Sequence, residues 1–122
     1  MRIYAASPYE VAGEVLRVGR RAPAIDRLML GARAQDAVLM TACNPLGRRQ
    51  PQGWNNRMMA RLREAVRRRI TFPGKSGAGL WREAQILVLC GPAWGVRLAR
   101  RFRQNAVLHL HRGQPPRLMA CA

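Results

Sequence analysis

The sequence is short of acidic residues, of lysine and of long apolar runs. Its 122 residues include six acidic side chains against 22 basic ones, and Lys75 is the single lysine. No stretch reaches the roughly 18 consecutive apolar residues of a membrane-spanning helix, and the first residues hold no apolar block like that of a signal peptide. These absences predict a cytoplasmic protein that does not engage a membrane.

Cysteines are also too few for a disulfide framework. Cys43, Cys90 and Cys121 lie far apart, and no Cys-x-x-Cys pair occurs. An odd, scattered set is typical of reduced thiols in a cytosolic protein. Cys43 and Cys90 stand in apolar runs, so we expect both to pack in the core.

Two short patterns fail as cofactor or metal sites. The Gly-Lys-Ser sequence at residues 74–76 resembles the end of a phosphate-binding loop, but Arg69 stands where the first glycine is required. His109 and His111 share one face of a predicted strand. A zinc ion needs about two further ligands, and none is suitably spaced nearby. We therefore expect solvent-facing histidines, no metal and no cofactor.

The positive charge is concentrated in the second part of the chain. Residues 1–47 carry six Arg and four acids, a net of +2, whereas residues 48–122 carry sixteen basic groups and two acids, a net of +14. A field of this size attracts polyanions, chiefly nucleic acid. Codon usage in a GC-rich genome also enriches Arg over Lys. The one-sided placement of the Arg residues is therefore a stronger signal than their number.

Apolar periodicity predicts one α+β domain over residues 1–122. Residues 1–36 form an N-terminal extension with short strands, the first over residues 1–6, a short helix that begins at Pro23, and a loop that ends at Asp36. Residues 37–122 form a core with the order strand, helix, strand, strand, helix, strand. Pro73-Gly74 is expected to break the second of these strands, the third is predicted from Trp81 to Cys90, and Gly91-Pro92 begins the second helix. This order predicts a ferredoxin-like split βαβ sheet with the two main helices on one face and the extension packed against it.

The two main helices carry most of the Arg residues on their outer sides. Because both helices are predicted on one sheet face, these side chains are expected to form one basic surface suited to phosphate-backbone contact. The residues are Arg57, Arg61, Arg63, Arg67 and Arg68 on the first helix and Arg97, Arg100, Arg101 and Arg103 on the second.

Polar side chains stand where the predicted strands and helices end. Asn44 ends a buried strand and Asn55 is expected to cap the next helix, so the two should lie close together across one loop. Gln104 closes the second main helix. Amides at such positions more often satisfy the backbone than bind a ligand. Glu83 is one of two acids in the basic part, and we expect it to pair with an Arg.

Several short motifs occur in a distinctive order along the chain. They are Thr41-Ala42-x-Asn44-Pro45, Asn55-Asn56, Trp81-x-Glu83, and the segment from Leu98 to Val107 that includes Gln104 and Asn105. Their order and spacing resemble those of the bacterial family known as domain of unknown function 3293, and the likeness covers nearly the whole chain. Cys43 stands where that family usually has an aromatic residue, and Arg103 where it usually has glycine. The resemblance implies a fold and a set of polar positions, but no activity.

Three functions are compatible with these patterns. The favoured one is non-catalytic binding of RNA or another polyanion through the helical Arg face. The second is a small-ligand or enzymatic site where Asn44, Asn55, Glu83 and Gln104 converge. The third is docking of the same Arg face on an acidic partner protein. No catalytic residue is predicted.

Overall fold

This computed structural model describes residues 8–77 and 82–121. These residues contain seven strands and three helices, joined by loops. The strands are β1 (Tyr9–Val11), β2 (Glu14–Leu16), β3 (Asp36–Met40), β4 (Thr71–Ser76), β5 (Glu83–Val88), β6 (Ala106–His111) and β7 (Arg117–Ala120). The helices are α1 (Pro23–Gly31), α2 (Gln52–Ala65) and α3 (Pro92–Arg101), with a 3-10 turn at Pro45–Gly47. None of these helices is long and apolar enough to cross a membrane, and the cytoplasmic location stays a prediction.

All seven strands join one antiparallel sheet in the order β2-β1-β4-β5-β3-β6-β7. β3 is paired on both sides, with Val38 opposite Val88 of β5 and opposite His109 of β6. Four of its five residues are buried, which explains its continuous apolar sequence. β3 is therefore the strand around which the sheet is built.

The helices cover both faces of this sheet. α2 and α3 pack on one face, where Met59 and Leu98 share an apolar cluster with Val38. α1 packs on the opposite face, where Ile25 lies in a second cluster with Leu39. Val38 and Leu39 serve different clusters because successive side chains of a strand point to opposite faces.

The ferredoxin-like architecture predicted from the sequence is wrong. The sheet is a curled half-barrel of seven antiparallel strands with three helices rather than a split βαβ sheet with two. The β1–β2 hairpin extends the edge at β4, and β7 extends the edge at β6. The predicted succession of elements is present from β3 to β6. Periodicity shows that succession, but not which distant segments pair into one sheet.

β4 continues through Pro73 and Gly74, where the sequence predicts a break. The carbonyl of Pro73 points towards the β1 side and accepts a hydrogen bond from the Ala12 N–H at 3.1 Å. In an antiparallel ladder the N–H and the carbonyl of one residue point to the same side of the strand. The N–H that proline lacks would therefore point towards β1, and its absence removes no hydrogen bond between β4 and β5. A Cβ on Gly74 would lie 2.6 Å from the Glu10 carbonyl oxygen, so the close approach of β1 requires glycine there.

Element boundaries differ from the predictions at two functional positions. α2 begins at Gln52 rather than after Asn55, which lies inside the helix. β5 begins at Glu83, and the predicted strand start at Trp81 lies outside the described residues, as does the N-terminal strand predicted over residues 1–6.

Candidate functional site

The polar side chains singled out in the sequence meet beyond the end of β3. Asn44 has a left-handed backbone with φ of 46°, a conformation that asparagine tolerates better than most residues. The backbone N–H of Asn44 donates to Oδ1 of Asn55 at 3.0 Å, and Nδ2 of Asn55 donates to Oδ1 of Asn44 at 3.0 Å. The predicted closeness of the two residues is therefore confirmed, although Asn55 pairs with the loop instead of capping α2.

These two asparagines fix the loop between β3 and α2. Oδ1 of Asn44 also accepts a hydrogen bond from the Gln50 N–H at 2.8 Å, and Nδ2 of Asn55 reaches the Gln50 carbonyl at 3.4 Å. Both asparagines are buried, with 7% and 6% of their surface exposed, so these bonds replace those that water would make. Their polar groups are largely occupied by the loop.

Thr41 and Gln104 hold the backbone of Cys43 from two sides. Oγ1 of Thr41 accepts the Cys43 N–H at 3.1 Å and donates to the Ala84 carbonyl at 2.7 Å. Nε2 of Gln104 donates to the carbonyls of Cys43 at 3.1 Å and Phe102 at 3.2 Å. The end of β3 is thereby tied to the start of β5 and to the end of α3.

Glu83 completes this group, and its carboxyl is unusual. The side chain is half-buried at the first position of β5. Burial raises the pKa of the Glu83 carboxyl to about 7, and a hydrogen bond with the Asn44 side chain offsets only part of that rise. The expected Arg partner is not found, because no cation of the described residues lies within ion-pair distance of Glu83. The carboxyl therefore exchanges its proton near neutral pH, a property that is enriched at functional sites.

We call these six side chains the polar cluster. Its members come from the end of β3, the loop after it, α2, the start of β5 and the residues after α3. They are Thr41, Cys43, Asn44, Asn55, Glu83 and Gln104.

The Cys43 thiol belongs to the packing of this cluster and not to its reactive groups. Only 4% of Cys43 is exposed, and burial raises the pKa of its thiol even though a hydrogen bond with Thr41 lowers it. Burial likewise raises the pKa of Cys90 to about 11. Thiols that stay protonated at neutral pH are poor nucleophiles. The prediction that Cys43 and Cys90 are buried is confirmed.

The other polar positions of the motifs do not join the polar cluster. Asn56 is exposed on α2, where its Oδ1 accepts a hydrogen bond from Nε2 of Gln52 at 2.7 Å. Asn105 is exposed, and its backbone carbonyl accepts the Cys121 N–H at 2.9 Å. Trp81 lies outside the described residues.

The nine Arg residues of the predicted basic surface are all exposed. One of them, Arg67, has an acidic partner in the described part of the chain, namely Glu64 at 3.3 Å. Arg100 donates from Nε to the Cys121 carbonyl. We call this set the Arg surface: Arg57, Arg61, Arg63, Arg67, Arg68, Arg97, Arg100, Arg101 and Arg103.

A further arginine, which the sequence did not single out, connects the two helices of this surface. Arg69 follows α2, and its guanidinium lies over the ring of Trp94 in α3, 3.9 Å from the ring centroid. α2 and α3 also share one apolar cluster on the same sheet face. α2 and α3 therefore lie on the same face of the sheet, and the contact of Arg69 with Trp94 joins the segment after α2 to α3. A tryptophan on α3 was visible in the sequence, but nothing there indicated which cation it contacts.

The histidines are arranged differently from the prediction. His109 is buried rather than facing solvent, and its Nε2 lies 2.8 Å from Oδ1 of Asp36, which is also 2.9 Å from Nδ1 of His111. Burial raises the pKa of Asp36, but the hydrogen bonds with His111 and His109 outweigh it and lower the pKa. Sequence reasoning missed Asp36 because it placed this residue in a loop, whereas it opens β3 opposite His111.

The described residues contain no group of three or more His, Cys, Asp or Glu side chains arranged to hold a metal ion. Asp36, His109 and His111 are close together, but one carboxylate oxygen serves both rings. This arrangement is that of a hydrogen-bonded core group.

Comparison with known proteins identifies a family but no function. A family model described as "Protein of unknown function (DUF3293)" matches residues 40–107. The matched region runs from the end of β3 into β6, so it contains the whole polar cluster and both helices of the Arg surface. No curated protein and no solved structure matches the chain.

Proposed function

We propose that this chain, which belongs to the DUF3293 family of proteins of unknown function, binds RNA through phosphate contacts of its Arg surface. The observation that carries the proposal is that all nine Arg residues are exposed, six of them on α2 and α3 and three just beyond the ends of these helices, with a single acidic partner among the described residues. Exposed guanidinium groups without carboxylate partners are free to bind phosphate, often with two parallel hydrogen bonds.

The charge of the whole chain supports the same partner. The formal net charge is +16, and the segment after residue 47 holds +14 of it. A surface of this kind gains affinity for nucleic acid by releasing the counterions that surround the phosphates. Such binding does not depend on base sequence, because phosphate contacts position a protein without reading bases.

The proposal is tested by reversing charge on the Arg surface. Arg61→Glu with Arg97→Glu places one acid on α2 and one on α3, at exposed side chains that make no hydrogen bond or ion pair with another side chain in the described part of the protein. Each substitution removes a possible phosphate contact and introduces a carboxylate that repels the phosphates. We therefore expect the affinity for a mixed-sequence single-stranded RNA to fall by at least about tenfold at low salt, as measured by fluorescence anisotropy.

A matched control separates the Arg surface from the total charge. Arg20→Glu with Arg27→Glu makes the same change in net charge at exposed positions before and on α1, which packs on the opposite sheet face. The control pair should lose much less affinity. Equal losses in the two double variants, or none in either, would contradict the proposal. A co-purifying acidic protein that survives nuclease treatment, with no RNA affinity, would favour docking on a protein partner instead.

A small-ligand site is a second candidate function. It is favoured by the convergence of Asn44, Asn55, Glu83 and Gln104 in the polar cluster, because these residues come from separate segments of the chain. The polar cluster and the Arg surface involve different side chains. Either function can therefore hold without the other.

A further inference from the structure

A cavity lies where β3 begins and the chain passes from β5 into α3. Its volume is about 380 Å³, within the roughly 300–1,000 Å³ that is typical of small-molecule sites. The described residues that line it belong neither to the polar cluster nor to the Arg surface. They include one carboxylate, one guanidinium and two large apolar side chains, namely Asp36, Arg33, Ile70 and Leu89. We call this space the β3 cavity.

The carboxylate of Asp36 is held in a fixed position on the wall of the β3 cavity. Nε2 of His109 and Nδ1 of His111 lie 2.8 Å and 2.9 Å from its Oδ1. A carboxylate can only accept, so both rings donate to this oxygen and stabilise the charged form. Because both rings use Oδ1, the other oxygen is left for a ligand. Of the Asp36 side chain, 27% remains exposed, so a ligand can reach it.

Arg33 supplies the opposite charge to the same cavity. It follows α1 and is exposed. Arg33 and Asp36 both lie in the described part of the chain, and they are not within ion-pair distance of each other. Gly91, the residue before α3, also lines the cavity, so the positive end of the α3 dipole reinforces the charge of Arg33. The β3 cavity therefore presents a cationic and an anionic group that are not already paired with each other.

The two charges restrict the kind of ligand that the cavity can hold. A purely cationic ligand pairs with Asp36 but has to approach against a net charge of +16. A purely anionic ligand pairs with Arg33 and meets the carboxylate of Asp36. A zwitterion with an ammonium group and a carboxylate makes a charge-assisted hydrogen bond with each side chain and carries no net charge. The pair of charges thus favours a zwitterion.

The apolar wall of the β3 cavity indicates what the rest of the ligand should be. Ile70 is one of four large apolar residues that the described part of the chain leaves exposed, with 53% of its surface accessible. Leu89 is partly buried beside the same cavity. An aliphatic group placed against these side chains removes apolar surface from water, which stabilises the complex.

We infer that the β3 cavity binds a free α-amino acid with an aliphatic side chain, its ammonium group on Asp36 and its carboxylate on Arg33. His109 and His111 act as positioning residues, because they fix the carboxylate of Asp36. This site goes beyond RNA binding by the Arg surface and does not depend on it.

The test is a calorimetric titration of the full chain at pH 7 with L-leucine and three analogues. N-acetyl-L-leucine lacks the positive charge, L-leucinamide lacks the negative charge, and L-alanine keeps both charges but has a much smaller side chain. Each of the first two leaves one charged group of the protein without its partner, so we expect both to bind at least tenfold more weakly than leucine. Alanine should bind about tenfold more weakly, because it covers less apolar surface.

Two substitutions localise the site on the protein. Arg33→Asn removes the guanidinium, and its backbone has φ of 57°, a left-handed conformation that asparagine tolerates well. The variant should therefore fold and bind leucine at least tenfold more weakly. Asp36→Asn keeps an oxygen that accepts from the two rings but loses the charge, and the same loss is expected. Arg27→Gln removes an exposed guanidinium on α1 outside the cavity and should leave the affinity unchanged.

The outcomes separate the parts of this inference. Equal affinity for leucine and leucinamide, or an unchanged affinity in Arg33→Asn, would overturn the assignment of a zwitterion to this cavity, whether or not Asp36→Asn folds. Equal affinity for leucine and alanine would overturn the aliphatic side chain. If neither amino acid binds, the whole inference is overturned, and RNA binding by the Arg surface is unaffected.

Discussion

Glu83 and Asp36 show two ways in which a strongly basic chain holds a partly buried carboxyl. At both residues burial by itself acts to raise the pKa of the carboxyl, because it disfavours the charged form. At Asp36 the hydrogen bonds with His111 and His109 outweigh burial and lower the pKa, whereas the hydrogen bond of Glu83 with Asn44 does not outweigh burial. The two sites differ in how strongly their neighbours in the described residues stabilise the charged form, because two histidines act on Asp36 by hydrogen bonds and by charge.

The raised pKa of Glu83 predicts a pH-dependent stability. Its folded pKa of about 7 exceeds the usual 4.5, so the folded state retains a proton that the unfolded state releases as the pH rises between these values. The free energy of unfolding should therefore fall through this window, on the order of 1–2 kcal/mol after allowance for the solvent-facing part of the side chain. Urea unfolding at pH 5 and pH 8 measures it.

Glu83→Gln removes the ionisation and should abolish most of this change in stability between pH 5 and pH 8. The variant should equal or exceed the unsubstituted chain in stability at pH 8, where a buried charge has been removed. Glu14→Gln, at an exposed position, serves as the control. A variant as sensitive to pH as the parent would show that Glu83 is not the group responsible.

The helix α3 approaches the sheet closely at Gly95. A Cβ built on Gly95 would lie 2.7 Å from Cγ2 and 3.0 Å from Cβ of Val38 in β3. Valine is stiff about χ1, so it cannot turn aside. The glycine therefore sets the distance between α3 and β3.

Gly95→Ala should destabilise the chain, because the overlap with Val38 costs about 1–3 kcal/mol and the better helix propensity of alanine returns at most about 1 kcal/mol. Gly53→Ala is the matched control on α2, where the nearest atom to the added Cβ is a terminal guanidinium nitrogen of Arg57 at 3.7 Å. That variant should be neutral or slightly stabilising. Thermal unfolding measures the stability of the two variants, and equal stability would contradict the close approach of Gly95 to Val38.

Elements defined by local signals could be predicted from the sequence, and those defined by pairing could not. Pro23 and Pro92 begin α1 and α3 as expected, because proline at the first helical position fixes a favourable φ. The pairing of β1 with β4 is formed by backbone hydrogen bonds between segments about 60 residues apart in the sequence. Apolar periodicity does not indicate which distant strands pair. The ferredoxin-like prediction failed for this reason.

The candidate sites show the same division. The asparagine pair was expected because one loop separates Asn44 from Asn55, and the structure joins them. The contacts of Asp36 with the two histidines follow from β3–β6 register. The position of Glu83 beside Asn44 follows likewise from the packing of β5 next to β3. The sequence, with 22 basic residues, predicted an Arg partner for Glu83, and no Arg in the described ranges lies within ion-pair distance of it.

At the scale of the whole molecule, charge and fold divide the surface. α2 and α3, which carry six of the nine Arg residues of the Arg surface, pack on one side of the sheet, and α1 covers the other side. The net charge is +2 over residues 1–47 and +14 over residues 48–122, and it follows the same division approximately because α2 and α3 both lie in the second part. This division is the reason why we propose the face with α2 and α3 as the side that binds a polyanion.

The most direct test of RNA binding by the Arg surface is the dependence of affinity on salt. Five or six phosphate contacts to single-stranded RNA give a slope of log affinity against log salt of about −4. We therefore expect the affinity for a mixed-sequence RNA to fall by a factor on the order of 100 between 50 and 200 mM salt. An affinity that stays constant over this range would contradict the account.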